Sequence, residues 1–232
     1  MPYFYFDYYY LILIIPALLI SLWAQFKVKS TFSKYSKVFA TSGYTAAQIA
    51  RYILDSNGLT GVRVERVAGD LSDHFDPRTN VVRLSDSVYN STSVAAIGVA
   101  AHEVGHAIQY AENYSPMKFR SAIIPITQIG STLSMPLIFL GVLFSLQPIV
   151  TIGIVFFSFA TLFQLITLPV EFNASNRALK ILEDRDYLYG EELKGAKRTL
   201  TAAAMTYVAA LIVSAMQLLR LILIFGNRGR RD

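Results

Sequence analysis

The sequence predicts a mainly α-helical membrane protein, with about four transmembrane helices and a small α+β module outside them. Of its 232 residues, 53% are apolar and only 16% are charged, whereas an ordinary soluble domain has about 25% charged residues. Uncharged stretches long enough to cross a bilayer recur along the chain. We expect one membrane-embedded domain over residues 1–232, in which the connection between the second and third stretches is too short to hold a domain of its own.

The transmembrane helices are predicted from length and lack of charge. They fall at about residues 8–26, 121–146, 149–169 and 202–225. The second and third come from one uncharged run, which Gln147 and Pro148 divide. The first has neither a positively charged start nor a cleavage site of small residues, so we expect an uncleaved anchor. Trp23 is expected at its far interface, and Arg220, near the end of the fourth stretch, can snorkel.

Basic residues predict the orientation in the membrane. Four lysines follow the first stretch within residues 27–37, and residues 171–198 are also rich in lysine and arginine. The positive-inside rule places both segments in the cytoplasm and the N-terminus outside. The tail at 227–232 then lies outside despite its charge, unless the last stretch does not fully cross. The net charge of +5 is explained by these flanks, and no nucleic-acid partner is expected.

A small module is expected between the first two spans. Thr45 and Gln48 resemble a capping box for a helix over residues 46–56. Alternating apolar residues predict a strand at 62–67, and a second strand at 81–84 would complete a hairpin. We therefore expect a module of residues 40–115 together with 171–198.

The sequence pattern H-E-x-x-H lies in the helix that follows, which Ser91, Thr92 and Ser93 can cap and which is expected to run to about Asn113. Residues four apart lie on one face of a helix, so His102 and His106 can bind one metal ion. Glu103 projects beside them. The chain has three histidines and no cysteine, which excludes thiolate ligands. The alternative is a pair of hydrogen-bonded histidines in a buried helix.

A catalytic zinc site needs a third protein ligand and an open position. Glu171 is the first charged residue after the long apolar run, and two crossings return it to the side of the histidine pair. The alternative for Glu171 is a solvated carboxylate at the interface. Competing ligands are Glu112, Glu183, Asp184 and His74; Glu112 is disfavoured because Gln109 replaces the glycine of the extended zinc signature.

The segments HEVGHAIQYAE and VEFNASNRALKIL resemble motifs of the YugP-like family of membrane zinc metallopeptidases, and LSDHFDPRTNVVRLSDSVY matches that family's segment before the metal helix. The three motifs agree in their order along the chain. The resemblance spans nearly the whole chain. It implies a zincin-like metallopeptidase module at the cytoplasmic face, with Zn²⁺ bound by His102, His106 and Glu171, and with Glu103 catalytic. The chain is more distantly similar to HtpX-like proteases, but Ser175 stands where their pattern has aspartate.

The expected chemistry is hydrolysis of peptide bonds in membrane proteins or membrane-bound peptides. Glu103 would take a proton from the attacking water and pass it to the leaving amine. His74 is the candidate for stabilising the oxyanion, its alternative being a turn residue. The strand at 81–84 could align an extended peptide, or be purely structural. Candidates for orienting the histidine rings are Asp73, Asp76, Asn173 and Ser175.

Two other functions fit parts of the sequence. A non-enzymatic membrane chaperone or assembly factor could use a structural zinc, with His74 or Glu112 as a fourth ligand. A transporter or channel is disfavoured, because transport paths contain charged residues inside the membrane and Arg220 is the exception near a helix end.

Overall fold

The computed structural model describes residues 7–226, which form six α-helices and three strands. The helices are α1 (Ile15–Tyr35, preceded by a π-helical turn at Tyr10–Ile14), α2 (Ala46–Ser56), α3 (Val94–Ala111), α4 (Ser115–Leu143), α5 (Gln147–Asp184) and α6 (Gly190–Phe225). The strands are β1 (Arg63–Val67), β2 (His74–Asp76) and β3 (Val81–Ser85). The N-terminus and the tail at 227–232, which the sequence predicts to lie outside the cell, belong to residues 1–6 and 227–232 and fall outside the described residues.

Four helices are long and apolar enough to cross a membrane. They are Tyr10–Tyr35, Ser115–Leu143, Gln147–Asp184 and Gly190–Phe225. Each contains one of the predicted spans or most of it, and the division at Gln147 is where α5 begins. The prediction of four apolar helices is therefore confirmed, although three of them continue well beyond the apolar stretch because polar residues extend the same helix.

The chain divides into two compact units. The first comprises the residues up to Ala24, Phe119–Leu168 and the residues from Thr206. Its buried cluster joins α4, α5 and α6 through Ile138, Val150, Leu221 and Phe225. The prediction of a single domain stays a prediction.

Arg220 in the first unit has a carboxylate partner, and its predicted snorkelling stays a prediction. Its side chain is buried, and its Nε donates to Asp7 Oδ2 at 3.0 Å. Its guanidinium also lies over the Tyr10 ring, 5.2 Å from the centroid. An arginine that has a carboxylate within reach is satisfied without contacting water.

The second unit comprises Gln25–Lys118 and Pro169–Met205. Its core packs α2 and α3 against the sheet and against the adjoining parts of α5 and α6. The largest fully buried side chains there include Ile49, Ile53, Leu84, Ile97 and Leu182. Burial of this apolar surface is the main stabilising contribution, and it fixes the position of α3.

Local sequence signals are confirmed in this unit. Thr45 and Gln48 form a reciprocal capping box at the start of α2, which satisfies two backbone donors that a helix start leaves open. Ser93 Oγ accepts from the backbone of Ala96 at the start of α3. Both helices therefore begin at the residues the sequence indicates.

The sheet differs from the predicted hairpin. Its strand order is β1-β3-β2, with β1 parallel to β3 and β2 antiparallel to β3. The hairpin is formed by β2 and β3, and β2 is too short for its alternation to be recognised. Because β3 is the central strand, its backbone groups pair on both sides. The prediction that residues 81–84 align an extended peptide is therefore wrong.

Two glycines bring α3 close to its neighbours. A Cβ added at Gly105 would lie 2.8 Å from the carbonyl oxygen of Ala174 on α5. A Cβ added at Gly98 would lie 3.3 Å from the Cβ of Ala196 on α6. The absence of a side chain at Gly105 thus permits the close approach of α3 and α5, one residue before His106.

Candidate metal centre

Three potential metal ligands converge in the second unit. His102 and His106 lie on α3 and Glu171 on α5, and one donor atom from each lies within 4.8 Å of the others. Glu171 Oε2 is 3.3 Å from His102 Nε2 and 3.5 Å from His106 Nε2. Among residues 7–226, this is the group of histidine and acidic side chains that could hold an ion.

The three side chains fit a zinc ion by their chemistry. Two imidazole nitrogens and one carboxylate oxygen are the donors of many catalytic zinc sites. The two rings stand edge to face, with centroids 4.7 Å apart, and both turn Nε2 toward the same carboxylate. Glu171 is 2% exposed and His106 is 7% exposed, while His102 is only partly buried. The group is therefore reached from the His102 side.

The local electrostatics favour a positive charge at this place. Burial alone would lower the pKa of His106, but the contact with Glu171 and the negative charges of Glu103 and Glu171 raise it above its ordinary value. Glu103, also buried, is thus close enough to act on His106. A site that attracts a proton in this way also attracts a metal cation.

Each histidine ring has a hydrogen-bond partner at Nδ1, the ring nitrogen other than the one that faces Glu171. Ser175 Oγ lies 3.0 Å from His102 Nδ1, and Gln109 Oε1 lies 3.0 Å from His106 Nδ1. Ser175 was among the sequence candidates for this role. Gln109 was not, although its position three residues after His106 places it on the same helix face. Hydrogen bonds of this kind fix a ring and leave the other nitrogen for a metal.

The remaining candidates for ring orientation contact other groups. Asp73 accepts from the backbone and the hydroxyl of Ser85. Asp76 accepts from Thr79 and from Arg83. Both carboxylates therefore organise the sheet and its turns. Asn173 contacts Gln109 instead of a ring.

The competing third ligands also have other partners or positions. Glu112 follows α3 and pairs with Arg177 at 2.7 Å. Glu183 and Asp184 lie exposed at the end of α5. The geometry thus brings Glu171 to the histidines, as the sequence argument favoured.

His74 lies on β2 with an exposed side chain. Its Nδ1 is 2.8 Å from the carbonyl oxygen of Ser72, and its Nε2 is 3.4 Å from Arg83 Nη1. The structure thus gives His74 partners within the β2–β3 hairpin. Its part in catalysis stays a prediction.

The chain is mostly helical and has both four long apolar helices and a His-His-Glu cluster, which places it in the class of membrane-associated proteins with a candidate zinc site. The chain belongs to the family described as "Putative neutral zinc metallopeptidase", whose model matches residues 10–226. It is 52% identical, over 219 residues, to a Bacillus subtilis (strain 168) protein named "Putative membrane protease YugP"; the match covers 94% of this chain and 97% of that protein. No solved structure matches the chain. The resemblance read from the sequence motifs is confirmed.

Proposed function

We propose that this protein is a membrane-integral, zinc-dependent metalloprotease that hydrolyses peptide bonds. The observation that supports the proposal is the convergence of His102, His106 and Glu171, which are separated in sequence but share one small space. Membership of a zinc metallopeptidase family points to the same ion. The H-E-x-x-H pattern adds a carboxylate, Glu103, next to the first histidine.

The three side chains would hold zinc through His102 Nε2, His106 Nε2 and the Glu171 carboxylate. Zinc in such a site supplies Lewis acidity, polarising a carbonyl group and lowering the pKa of a bound water toward about 7. Ser175 and Gln109 keep the rings in place. Their hydrogen bonds reduce the rearrangement that binding requires.

Glu103 has the role of proton carrier. Its carboxylate would accept a proton from the attacking water and deliver it to the amine that leaves when the peptide bond breaks. Because Glu103 lies largely buried beside the histidines, bulk water does not compete strongly for that proton. His74 remains our proposed stabiliser of the oxyanion, assisted by the guanidinium of Arg83, which carries donors alone and lies 3.4 Å from His74 Nε2.

The substrates we propose are membrane proteins or membrane-bound peptides, cleaved at the cytoplasmic face. The long apolar helices hold the chain at a bilayer. The positive-inside rule, applied to the lysines at 27–37 that follow the apolar part of α1, supports a cytoplasmic location for that end of the helix. The partners of the enzyme are thus lipid and polypeptide.

Replacement of Glu103 by glutamine tests the proposal. Glu103→Gln should retain bound zinc, because the three ligands are unchanged, and should lose cleavage of β-casein by about 10²-fold or more. Bound zinc is measured by mass spectrometry of the metal, and cleavage by gel electrophoresis, in detergent-purified protein. Glu183→Gln is the matched control, since Glu183 is exposed at the end of α5, and it should behave as wild type. Cleavage by Glu103→Gln at the wild-type rate, or zinc-free wild-type protein, would contradict the proposal.

A further inference from the structure

We propose that Arg177, acting through Asn173 and Gln109, sets the ring tautomer of His106, so that Nδ1 carries the hydrogen and Nε2 is left to bind the metal. Gln109, Asn173 and Arg177 are positioning residues in this proposal, which rests on the proposed zinc site. They form one hydrogen-bonded chain behind His106.

The contacts of the Gln109 side chain fix the orientation of its amide. Its Nε2 lies 2.8 Å from the backbone carbonyl oxygen of Val170. A carbonyl oxygen can only accept, so the amide nitrogen must face it. The amide oxygen of Gln109 is consequently turned toward His106. Gln109 is fully buried, so water does not replace these contacts.

Arg177 independently favours the same orientation of the Gln109 amide. A guanidinium has donors and no acceptor, and Arg177 Nε donates to Asn173 Oδ1 at 2.7 Å. The same oxygen therefore faces Gln109 as an acceptor, at 2.9 Å from Gln109 Nε2. Reversing the Gln109 amide would place two acceptors against each other at both contacts.

The orientation of the Gln109 amide decides which nitrogen of His106 carries the hydrogen. Gln109 Oε1 lies 3.0 Å from His106 Nδ1, and because an amide oxygen can only accept, Nδ1 must be the donor. A neutral imidazole has one hydrogen, so Nε2 then offers its lone pair on the side of Glu171. The Val170 carbonyl and the guanidinium, which favour the same Gln109 orientation, thus together determine which nitrogen of His106 is available to zinc.

The other histidine is held differently. His102 Nδ1 contacts the hydroxyl of Ser175, and a hydroxyl can donate or accept. Ser175 therefore orients the His102 ring but leaves its tautomer open. The two ligands on α3 are thus unequal, and His106 is the one whose nitrogen is selected in advance.

The test compares zinc affinities of full-length variants in detergent, by competition with a chromophoric chelator. Asn173→Leu, which cannot accept from either partner, should weaken zinc binding by about tenfold, the lower end of the loss that follows removal of a direct partner of a metal ligand, because Asn173 acts through Gln109. Asn173→Asp should keep the affinity within about threefold, because a carboxylate oxygen still accepts from Arg177 and Gln109. Arg177→Met should weaken zinc binding, because it removes the donor to Asn173. Arg177→Lys should bind zinc more tightly than Arg177→Met, because lysine keeps a donor. Glu112→Gln is the control, since it alters only the far side of Arg177.

Thermal unfolding of the zinc-free variants separates polarity from packing. If Asn173→Leu and Asn173→Asp unfold alike but bind zinc differently, the polarity of the chain is responsible. Equal zinc affinities of Asn173→Leu and Asn173→Asp would overturn the inference. It would also be overturned if the loss of zinc affinity in each variant simply followed its loss of thermal stability. His106→Ala separates this result from the proposed function. If His106→Ala leaves zinc binding intact, the proposed zinc site is wrong. If His106→Ala abolishes zinc binding while Asn173→Leu leaves it unchanged, the zinc site stands and only the inference about the tautomer fails.

Discussion

Ser175 Oγ lies 3.0 Å from Nδ1 of His102, a ligand candidate 73 residues earlier in the chain. Ser175 follows Glu171 by one helical turn on α5, so one helix face presents both a metal ligand and a partner for a second ligand. A neutral hydroxyl occupies the position for which HtpX-like proteases have a carboxylate. The His102 ring is therefore oriented without a second negative charge.

Ser175→Ala should weaken zinc binding by less than about tenfold, below the usual range for charged partners of a ligand. The ring loses one neutral hydrogen bond, which contributes about 0.5–1.5 kcal/mol. Chelator competition measures the change. Ser30→Ala, at an exposed hydroxyl on α1 that contacts the Lys27 carbonyl, is the control. A hundredfold loss in Ser175→Ala would show that the hydroxyl does more than orient the ring.

Gly105→Ala should destabilise the second unit and lower its zinc content together. The added Cβ would lie 2.8 Å from the Ala174 carbonyl oxygen, so α3 and α5 must separate, at a cost of about 1–3 kcal/mol. Thermal unfolding and metal analysis measure the two effects. Gly61→Ala is the matched control, because nothing lies within 4 Å of a Cβ there. Full zinc content in Gly105→Ala would contradict the close approach.

Removing either member of the Asp7–Arg220 pair should destabilise the first unit strongly. Side-chain exposures of 18% and 9% mean that the remaining charge stays largely buried, which costs about 3–5 kcal/mol. Asp7→Leu and Arg220→Leu should each show this loss in unfolding by a denaturing detergent. The double variant should lose less than the sum, because it leaves no buried charge. Additive losses would indicate that the two residues act separately.

Asp76→Asn should destabilise the protein in a pH-dependent way. Hydrogen bonds from the Thr79 hydroxyl, the Arg78 backbone and Arg83 lower the pKa of Asp76 to about 2. The ionised carboxylate therefore stabilises the fold above the ordinary pKa of 3.8, and this contribution disappears as the pH falls toward 2. The difference in unfolding midpoint between Asp76→Asn and wild type should shrink over that interval. A constant difference would contradict the shift.

Replacing Asp73 should change the pH dependence of stability in the direction opposite to that expected for Asp76→Asn. Burial raises the pKa of this carboxyl above 3.8, although Ser85 donates to it. The stabilising contribution of the protonated form is complete below 3.8 and is lost as the pH rises through the raised pKa. Since asparagine does not ionise, the stability of Asp73→Asn relative to wild type should increase over the same rise. Unfolding midpoints at pH 4 and pH 7 test this, and a relative decrease would contradict it.

Local signals predicted much of the fold. The capping residues Thr45 and Ser93 mark the starts of α2 and α3, because such caps act within four residues. The uncharged runs likewise indicate the apolar helices. The strand β2 and the parallel pairing of β1 with β3 were not predictable, since His74–Asp76 is three residues long and pairing depends on contacts distant in sequence.

The candidate site was predictable where spacing alone brings residues together. His102 and His106 share a face by helical geometry, and the position of Glu171 followed from counting crossings. Gln109 was read only as a departure from a known signature. Its function depends on Val170 and Asn173, which reach it through the packing of α5 on α3, and no pattern in one sequence states that packing.

Trp23 is the chain's single tryptophan and is 52% exposed on α1. Tryptophan emission therefore comes from one residue, and in a bilayer its quenching by lipids brominated at successive acyl carbons would report the depth of that residue. This emission does not report on α3 or α5, because neither helix contains a tryptophan. Zinc loading could thus be followed by metal analysis while the tryptophan independently reports whether α1 stays inserted.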